Sequence, residues 1–423
     1  MNLDLQPQAL LDWLDSRLEP NLEALRRLVA ENSFTANAPG IDAQGRMTAD
    51  LFADLGFTAE FIPSEHAGYG HHLFLSRPGT SHSRPIVLVS HLDTVYPPEE
   101  ELAQNFRWEP APEEGRIYGP GTVDIKGGTT LLLLTLEGLR RFAPEVFDAH
   151  SWLLAFDASE EVMSHDFADR TAERCPSGAT AVLVFEGGPL VDGTWQIVSS
   201  RKGRELFRIS ARGRAAHAGS AHAEGINAIV SLAAAVQQAA QLTDHAADLT
   251  VNVGCIQGGT VVNRVPHEAS AELEVRAYNP TLLDRVAKAL RDLERPMAAP
   301  HQAEIRVTSL GRSPAWPATP DNAALAGYWV NAAASLGLTL VPGPRGGLSD
   351  ANYLCHLGPT LDGLGPSGGN AHCSERSADR TKLPEYVEPG TFVPKAAVNI
   401  LALLELLSES SSGIPKNSDF PND

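Results

Sequence analysis

Three short apolar runs punctuate the first half of the chain: PIVLVS (85–90), WLLAF (152–156) and AVLVF (181–185). Each is bounded by turn or polar residues. Continuous rather than alternating apolar residues predict strands buried on both faces. Between the first two lies a helical stretch, roughly Gly127 to Phe142, containing TTLLLLTLEGLRRF. Strand, helix, strand in this order predicts an α/β fold, a mostly parallel sheet with helices on both faces. The opening segment, MNLDLQPQALLDWLDSRLEP, reads as an amphipathic helix with acids inside its apolar part.

The pattern changes near residue 200. ELFRISARG (205–213), LTVNVGCIQGG (249–259) and ASAELEVRAY (269–278) alternate apolar and polar positions, the mark of strands with one solvated face. AEGINAIVSLAAAVQQAAQL (223–242) is Ala-rich and helical, and PTLLDRVAKALRDLE (280–294) starts with Pro at a helix N-terminus. With EIRVTSL (304–310) as the last strand the order is β-α-β-β-α-β, a ferredoxin-like α+β unit. The simplest organisation is a discontinuous α/β domain over 1–200 and 311–410, with an inserted domain at 201–310. The polar, turn-rich 411–423 reads as a disordered tail.

At roughly 150 residues per domain, 423 residues fit two or three domains. The formal charge of −19 argues against a nucleic-acid partner, which would require clustered Lys and Arg. The amphipathic N-terminus lacks a basic leader region, and the LLLL run at 131–134 is too short to span a bilayer. These features predict a soluble cytoplasmic protein with no membrane partner. Cys175, Cys255, Cys355 and Cys373 are far apart with no CxxC pair, which predicts reduced, mostly buried thiols and no thiolate zinc site.

In open α/β sheets the ligand site forms at the carboxyl ends of the strands. After PIVLVS come His91 and Asp93; after WLLAF come Asp157, Glu160 and Glu161; after AVLVF comes Glu186. Asp124, in GPGTVDIKGG, precedes a helix between the first two strands. Metal-type ligands thus recur at one sheet edge. The spacing of His91 and Asp93 lets the carboxylate support the imidazole, fixing its tautomer. Adjacent acids such as Glu160 and Glu161 are costly at a sheet edge unless cations offset them. One of the pair can bind metal while the other acts on water. Mixed His and carboxylate ligands suit zinc, manganese or cobalt, and several acids with few His suggest two metals sharing a carboxylate.

The motifs SHLDTV (90–95), GPGTVDIKGG (119–128), SEEV (159–162), FEGG (185–188), AAHAG (215–219), GGLSDAN (346–352) and GGNAHCSE (368–375) occur in an order that resembles one family. It is the dizinc amidohydrolase and exopeptidase family of carboxypeptidase G (glutamate carboxypeptidase), aminoacylase, acetylornithine deacetylase and succinyl-diaminopimelate desuccinylase. The resemblance spans nearly the whole chain and looks closest to the carboxypeptidase G branch, through RKG (201–203) followed by GRAAHAG. It implies that Asp124 bridges two Zn2+ ions, with Co2+ or Mn2+ as alternatives. It further implies that His91 and Glu186 complete one metal, Glu161 and His372 the other, and Asp93 supports His91. By the same resemblance Glu160 is the general base that deprotonates a bridging water and passes the proton to the leaving amine. The Asp124–Ile125 peptide is expected to be cis. The inserted domain resembles the family's lid and dimerisation domain, implying a homodimer. There His217 would stabilise the oxyanion, reaching the partner's site, while Asn263 and Arg276 would contact substrate, Arg276 as a bidentate clamp on a carboxylate.

Two positions depart from the family pattern: Ser159 replaces an acid before the Glu pair, and Leu348 interrupts a glycine run. The segment after His372, roughly ERSADRTKLPEYVEPG, carries no readable role. GPSGG (365–369) matches a nucleophile elbow only formally, since no strand-to-helix pattern flanks it. His66, His71 and His72 read as a loop and the start of a strand. The expected activity is metal-dependent hydrolysis of an amide bond in a small peptide or N-acyl amino acid bearing a carboxylate, most simply by a glutamate-carboxypeptidase-like exopeptidase. An N-acyl amino-acid deacylase is the alternative. A non-catalytic binding protein would normally lack ligands or base, and a paired-carboxylate glycosidase leaves His91, Asp124 and His372 idle.

Overall fold

The computed structural model describes residues 6–81, 83–296 and 302–410. The tail expected at 411–423 lies outside the described residues. The chain folds as two compact units. The first runs to Ser199 and resumes over Thr319–Pro344 and from Ser349; the second comprises Ser200–Ala318 and Arg345–Leu348.

A six-stranded sheet organises the first unit, in the order Thr58–Pro63, His71–Arg77, Trp152–Asp157, Ile86–His91, Ala181–Val184, Thr360–Leu361. The three strands read from the apolar runs are its central members and are buried at every position. They pair in parallel, with His91 opposite Asp157 and Val89 opposite Val184. Their carboxyl ends therefore lie on the same sheet edge. The first two strands form an antiparallel hairpin that the apolar pattern does not announce. Thr58–Pro63 is an exposed edge strand ending in Pro, where a buried run would be out of place. The Lys126–Phe142 helix is almost wholly buried and packs against the Pro7–Ala30 and Phe392–Ser410 helices. By length and composition the stretch Pro389–Ser408 could cross a membrane; 72% of it is buried within the protein.

A second sheet, of short strands, sets two loops side by side. Its order is Gly368–Gly369, Tyr386–Val387, Arg116–Tyr118, Glu109–Ala111. The turn carrying His372 lies between the first two strands, and the loop carrying Asp124 follows the third. Pairing of Tyr386 with Tyr118 fixes their separation.

The second unit is a four-stranded antiparallel sheet, in the order Thr250–Gly258, Glu268–Ala277, Gly203–Arg212, Glu304–Ser313. Alternate positions of Gly203–Arg212 and Glu268–Ala277 are buried, as their alternation predicts. The Ala228–Ala240 and Pro280–Arg291 helices share one core with them. The first helix starts later than its Ala-rich composition suggests. Asn227 caps it by accepting from the Val230 N–H at 3.1 Å, so the preceding residues are excluded. Thr250–Gly258 is an edge strand exposed over most of its length. It carries Cys255, which corrects the expectation of mostly buried thiols. All four cysteines are free, but only Cys175 is buried; Cys355 and Cys373 lie half-buried in or beside turns.

Candidate metal centre

The candidate ligands of the first unit converge at the carboxyl edge of its large sheet. His91 ends the Ile86–His91 strand, fully buried. Its Nδ1 lies 3.0 Å from the Asp93 carbonyl oxygen and 3.2 Å from Asp93 Oδ1. That hold directs Nε2 towards Asp124 Oδ1 at 3.1 Å and Glu186 Oε1 at 3.6 Å. Asp93 does more than orient the ring. Its Oδ1 accepts from the Glu160 N–H at 3.1 Å, and its Oδ2 accepts from the Glu161 N–H at 3.2 Å and Thr35 Oγ1 at 2.7 Å. One buried carboxylate thus ties the imidazole to the acidic turn.

That turn, Glu160–Val162, follows the Trp152–Asp157 strand and ends at Met163, a non-glycine residue at φ +66°. Asp124 precedes the Lys126–Phe142 helix, and the Asp124–Ile125 peptide is cis, as the resemblance implies. Its two oxygens face different imidazoles, Oδ1 towards His91 and Oδ2 3.3 Å from His372 Nε2. His372 stands on a turn with φ +64°, half-exposed, and its Nε2 is also 3.0 Å from Glu161 Oε2. Ligand atoms of His91, Asp124 and Glu161 all lie within 4.8 Å of one another.

The electrostatics are those of an acidic cluster held together by two imidazoles. Burial raises the Glu160 carboxyl well above the usual range; His91 opposes this, while Glu186, Glu161 and Asp124 add to it. Burial likewise raises Glu161, against the His372 bond, with Asp124 reinforcing the rise. Burial opposes charge on His91, but its bonds with Asp124 and Asp93 hold the imidazole protonated well above its ordinary value. The bonds of His372 to Asp124 and Glu161 push it up to about 10. The cluster thus holds protons tightly, and a metal ion is the cation that can take their place. Imidazole nitrogens and carboxylate oxygens within one ion's reach fit zinc, cobalt or manganese.

The remaining candidates lie in the second unit. His217 and Asn263 are neighbours: the Ala218 N–H donates to the Asn263 carbonyl at 3.0 Å, and His217 bridges to Arg264. The Gly219 and Ser220 N–H groups both donate to His217 Nδ1 at 3.1 Å. With Nδ1 accepting from both N–H groups, Nε2 of His217 is the ring nitrogen that can donate. Arg276 grips Glu274 through Nε at 2.6 Å and a second nitrogen at 3.1 Å, and donates to the Gly346 carbonyl at 3.0 Å. Its fork is thus already engaged within the unit.

Three residues here were not singled out as functional from the sequence. Asp350, within GGLSDAN, is buried, and burial together with Asp157 and Glu160 raises its carboxyl well above the usual range. His72 is fully buried, its Nδ1 3.1 Å from Asp157 and its Nε2 3.0 Å from Asp166. Glu385 lies in the segment without a readable pattern, and its carboxylate accepts from the loop bearing Asp124. Asp350 sat in a quoted motif and was findable; nothing in the sequence pairs His72 or Glu385 with the site.

Residues 199–301 match the peptidase dimerisation domain family. The chain is similar to carboxypeptidase G2 of Pseudomonas sp. (strain RS-16), at 29% identity over 356 residues, covering 83% of this chain and 82% of that protein. It is also similar to acetylornithine deacetylase of Shigella sonnei, at 25% identity over 317 residues, covering 70% of this chain and 78% of that one. Among solved structures, a tripeptidase from Staphylococcus aureus shares the fold with a TM-score of 0.74 and 21% identity, covering 92% of this chain and 99% of the other.

Proposed function

The chain is a homologue of the metallopeptidases and amidohydrolases that include carboxypeptidase G2 and acetylornithine deacetylase, and from that premise we propose that it hydrolyses an amide bond in a small carboxylate-bearing substrate, as a glutamate-carboxypeptidase-like exopeptidase. The observation that carries this reading is Asp124, set between two imidazoles with one oxygen towards each. In this proposal Asp124 would be shared between two zinc ions, with His91 and Glu186 holding one and Glu161 and His372 the other. Metal ions held there would supply Lewis acidity towards a scissile carbonyl and would lower the pKa of a bound water.

The chain's own groups do the rest. Glu160 takes a proton from the attacking water and delivers it to the leaving amine. Burial, with Glu186, Glu161 and Asp124 nearby, raises its carboxyl above the ordinary range, which favours its taking up a proton. Asp93 keeps His91 and the Glu160–Glu161 backbone in register. His217 of a second copy of the chain would donate from Nε2 to the developing oxyanion, and Asn263 lies beside His217 in the second unit. The exposed edge strand Thr250–Gly258 fits pairing with a second copy in a homodimer. Four free thiols accord with a reducing, cytoplasmic compartment.

The alternative is an N-acyl amino-acid deacylase, whose substrates carry the same carboxylate. Arg276 is gripped by Glu274, so the proposed carboxylate clamp must first release that partner. The test is release of free amino acid from N-acyl amino acids, acyl-glutamates and dipeptides, with added zinc and with a chelator. Chelator-sensitive release from acyl-glutamates supports the carboxypeptidase reading, and release confined to N-acyl amino acids moves it to the deacylase. No release from any of them refutes both.

A further inference from the structure

Glu385 is a fully buried acid whose carboxylate gathers four donors. Its Oε1 accepts from the backbone N–H groups of Val123 at 2.8 Å and Asp124 at 3.0 Å. Its Oε2 accepts from Tyr96 Oη at 2.7 Å and from the Gly121 N–H at 3.3 Å. Three of the four donors thus belong to the loop that ends at Asp124. The backbone of Glu385 makes two further ties. Its N–H donates to the Cys373 carbonyl at 2.7 Å, one residue after His372, and its carbonyl accepts from the Gly119 N–H at 3.2 Å. One residue therefore holds both the loop presenting Asp124 and the turn presenting His372.

The arrangement is asymmetric in a way that mere packing is not. A buried carboxylate is tolerated only where donors compensate it, and three of the four donors here are backbone amides of a single loop. The loop in turn has no regular structure over Gly119–Asp124 to satisfy those amides. Carboxylate and loop thus complete each other, and the loop's shape depends on the acid. Two residues after Asp124, Lys126 is buried with its Nζ on the Leu28 and Glu31 carbonyls at 3.1 and 2.8 Å, anchoring the far end of the same turn.

We propose that Glu385 is a positioning residue for the metal centre: it sets the spacing of Asp124 and His372 and so the affinity for the ion they share. The inference rests on the reading of Asp124 and His372 as ligands. Glu385 touches no substrate. Its effect passes through the two loops, and so falls on metal affinity rather than on the chemical step.

The experiment compares the native full-length chain with E385Q and Y96F, measuring the zinc dissociation constant by chelator competition, thermal unfolding of the metal-free proteins, and kcat and KM at limiting and saturating zinc. In E385Q the amide oxygen can keep the Val123 and Asp124 bonds, and its NH2 can donate to Tyr96, so only the Gly121 bond must be lost. The expected result is zinc binding weaker by about 10- to 100-fold in E385Q, the scale of loss when a ligand's supporting partner is removed, and by less in Y96F. The metal-free unfolding temperature stays close to native, KM is unchanged, and kcat recovers at saturating zinc. Zinc affinity within twofold of native in a folded E385Q overturns the proposal and leaves the metal centre standing. If E385Q does not fold, Y96F decides on the same criterion. A native chain that binds no zinc overturns both this proposal and the reading beneath it.

Discussion

Lys395 offers the sharpest energetic test of the fold that carries the centre. It sits on the Phe392–Ser410 helix, 1% exposed, and its Nζ has no hydrogen-bond partner among the described residues. Burial pushes the ammonium down from 10.5 to about 7. At ~1.4 kcal/mol per pH unit, that drop corresponds to a cost of about 5 kcal/mol for folding with the charge in place. The face of Trp195, 5.2 Å away, returns about 1–2 kcal/mol. The net cost of about 3 kcal/mol is present in full below pH 7. Between pH 7 and 10.5 the folded chain sheds a proton that the unfolded chain keeps, so the cost fades and stability rises. Lys395→Met keeps the side-chain volume and removes the charge. Denaturant unfolding, followed through the first unit, should show the variant more stable by about 3 kcal/mol at pH 7, with the gain close to zero near pH 10.5. A variant no more stable than the native chain, or one whose gain does not change with pH, refutes the reasoning.

Other outcomes follow from the site and its surroundings. Glu160→Gln should lose about 10²–10⁴ in kcat while binding zinc as the native chain does, measured by turnover and metal content together. The bonds of His72 to Asp157 and Asp166 outweigh burial and raise it to about 9, worth about 3 kcal/mol, present below pH 6.5 and lost as pH rises through 9. The stability difference between native and His72→Asn proteins should therefore shrink from pH 6 to pH 10, and a constant difference contradicts it. Ile256 is exposed on the edge strand of the second unit; Ile256→Lys should shift the assembly towards monomer in light scattering, with the secondary structure intact.

Much of this was legible because burial leaves a simple trace. The strands that lead to His91, Asp157 and Glu186 are buried throughout and open on apolar runs, so their ends, and the ligand-type residues there, could be found by reading to the end of each run. The second unit was legible for the complementary reason: its strands have one wet face, so their alternation survives in the sequence. The hairpin at Thr58–Arg77 was hidden because its outer strand is exposed and buries no stripe. His72 and Glu385 were hidden for another reason. Their partners are distant in sequence, Asp157 and Asp166 for one and the Gly121–Asp124 backbone for the other, and no periodicity encodes a contact over such separations. Arg276 was visible as a residue, but its bond to Glu274, two positions earlier on the same strand face, could be seen only once the side chains were placed.

The two adjacent glutamates show why position along a chain does not settle chemical role. Both follow the same buried strand, and Asp93 holds the backbone N–H of each. Their side chains meet different surroundings. Glu161 is 3.0 Å from His372 and shares that imidazole with Asp124, so its charge is already committed to the cluster. Among the described residues no side chain hydrogen-bonds the Glu160 carboxyl, and its fate is set by burial and by the field of its neighbours. A carboxylate tied to an imidazole is suited to hold a cation. One that is buried, without a side-chain hydrogen bond, and raised above the ordinary carboxyl range is suited to move a proton. The division of labour proposed for the pair therefore follows from a difference in hydrogen bonding, imposed by a turn at His372 more than 200 residues away.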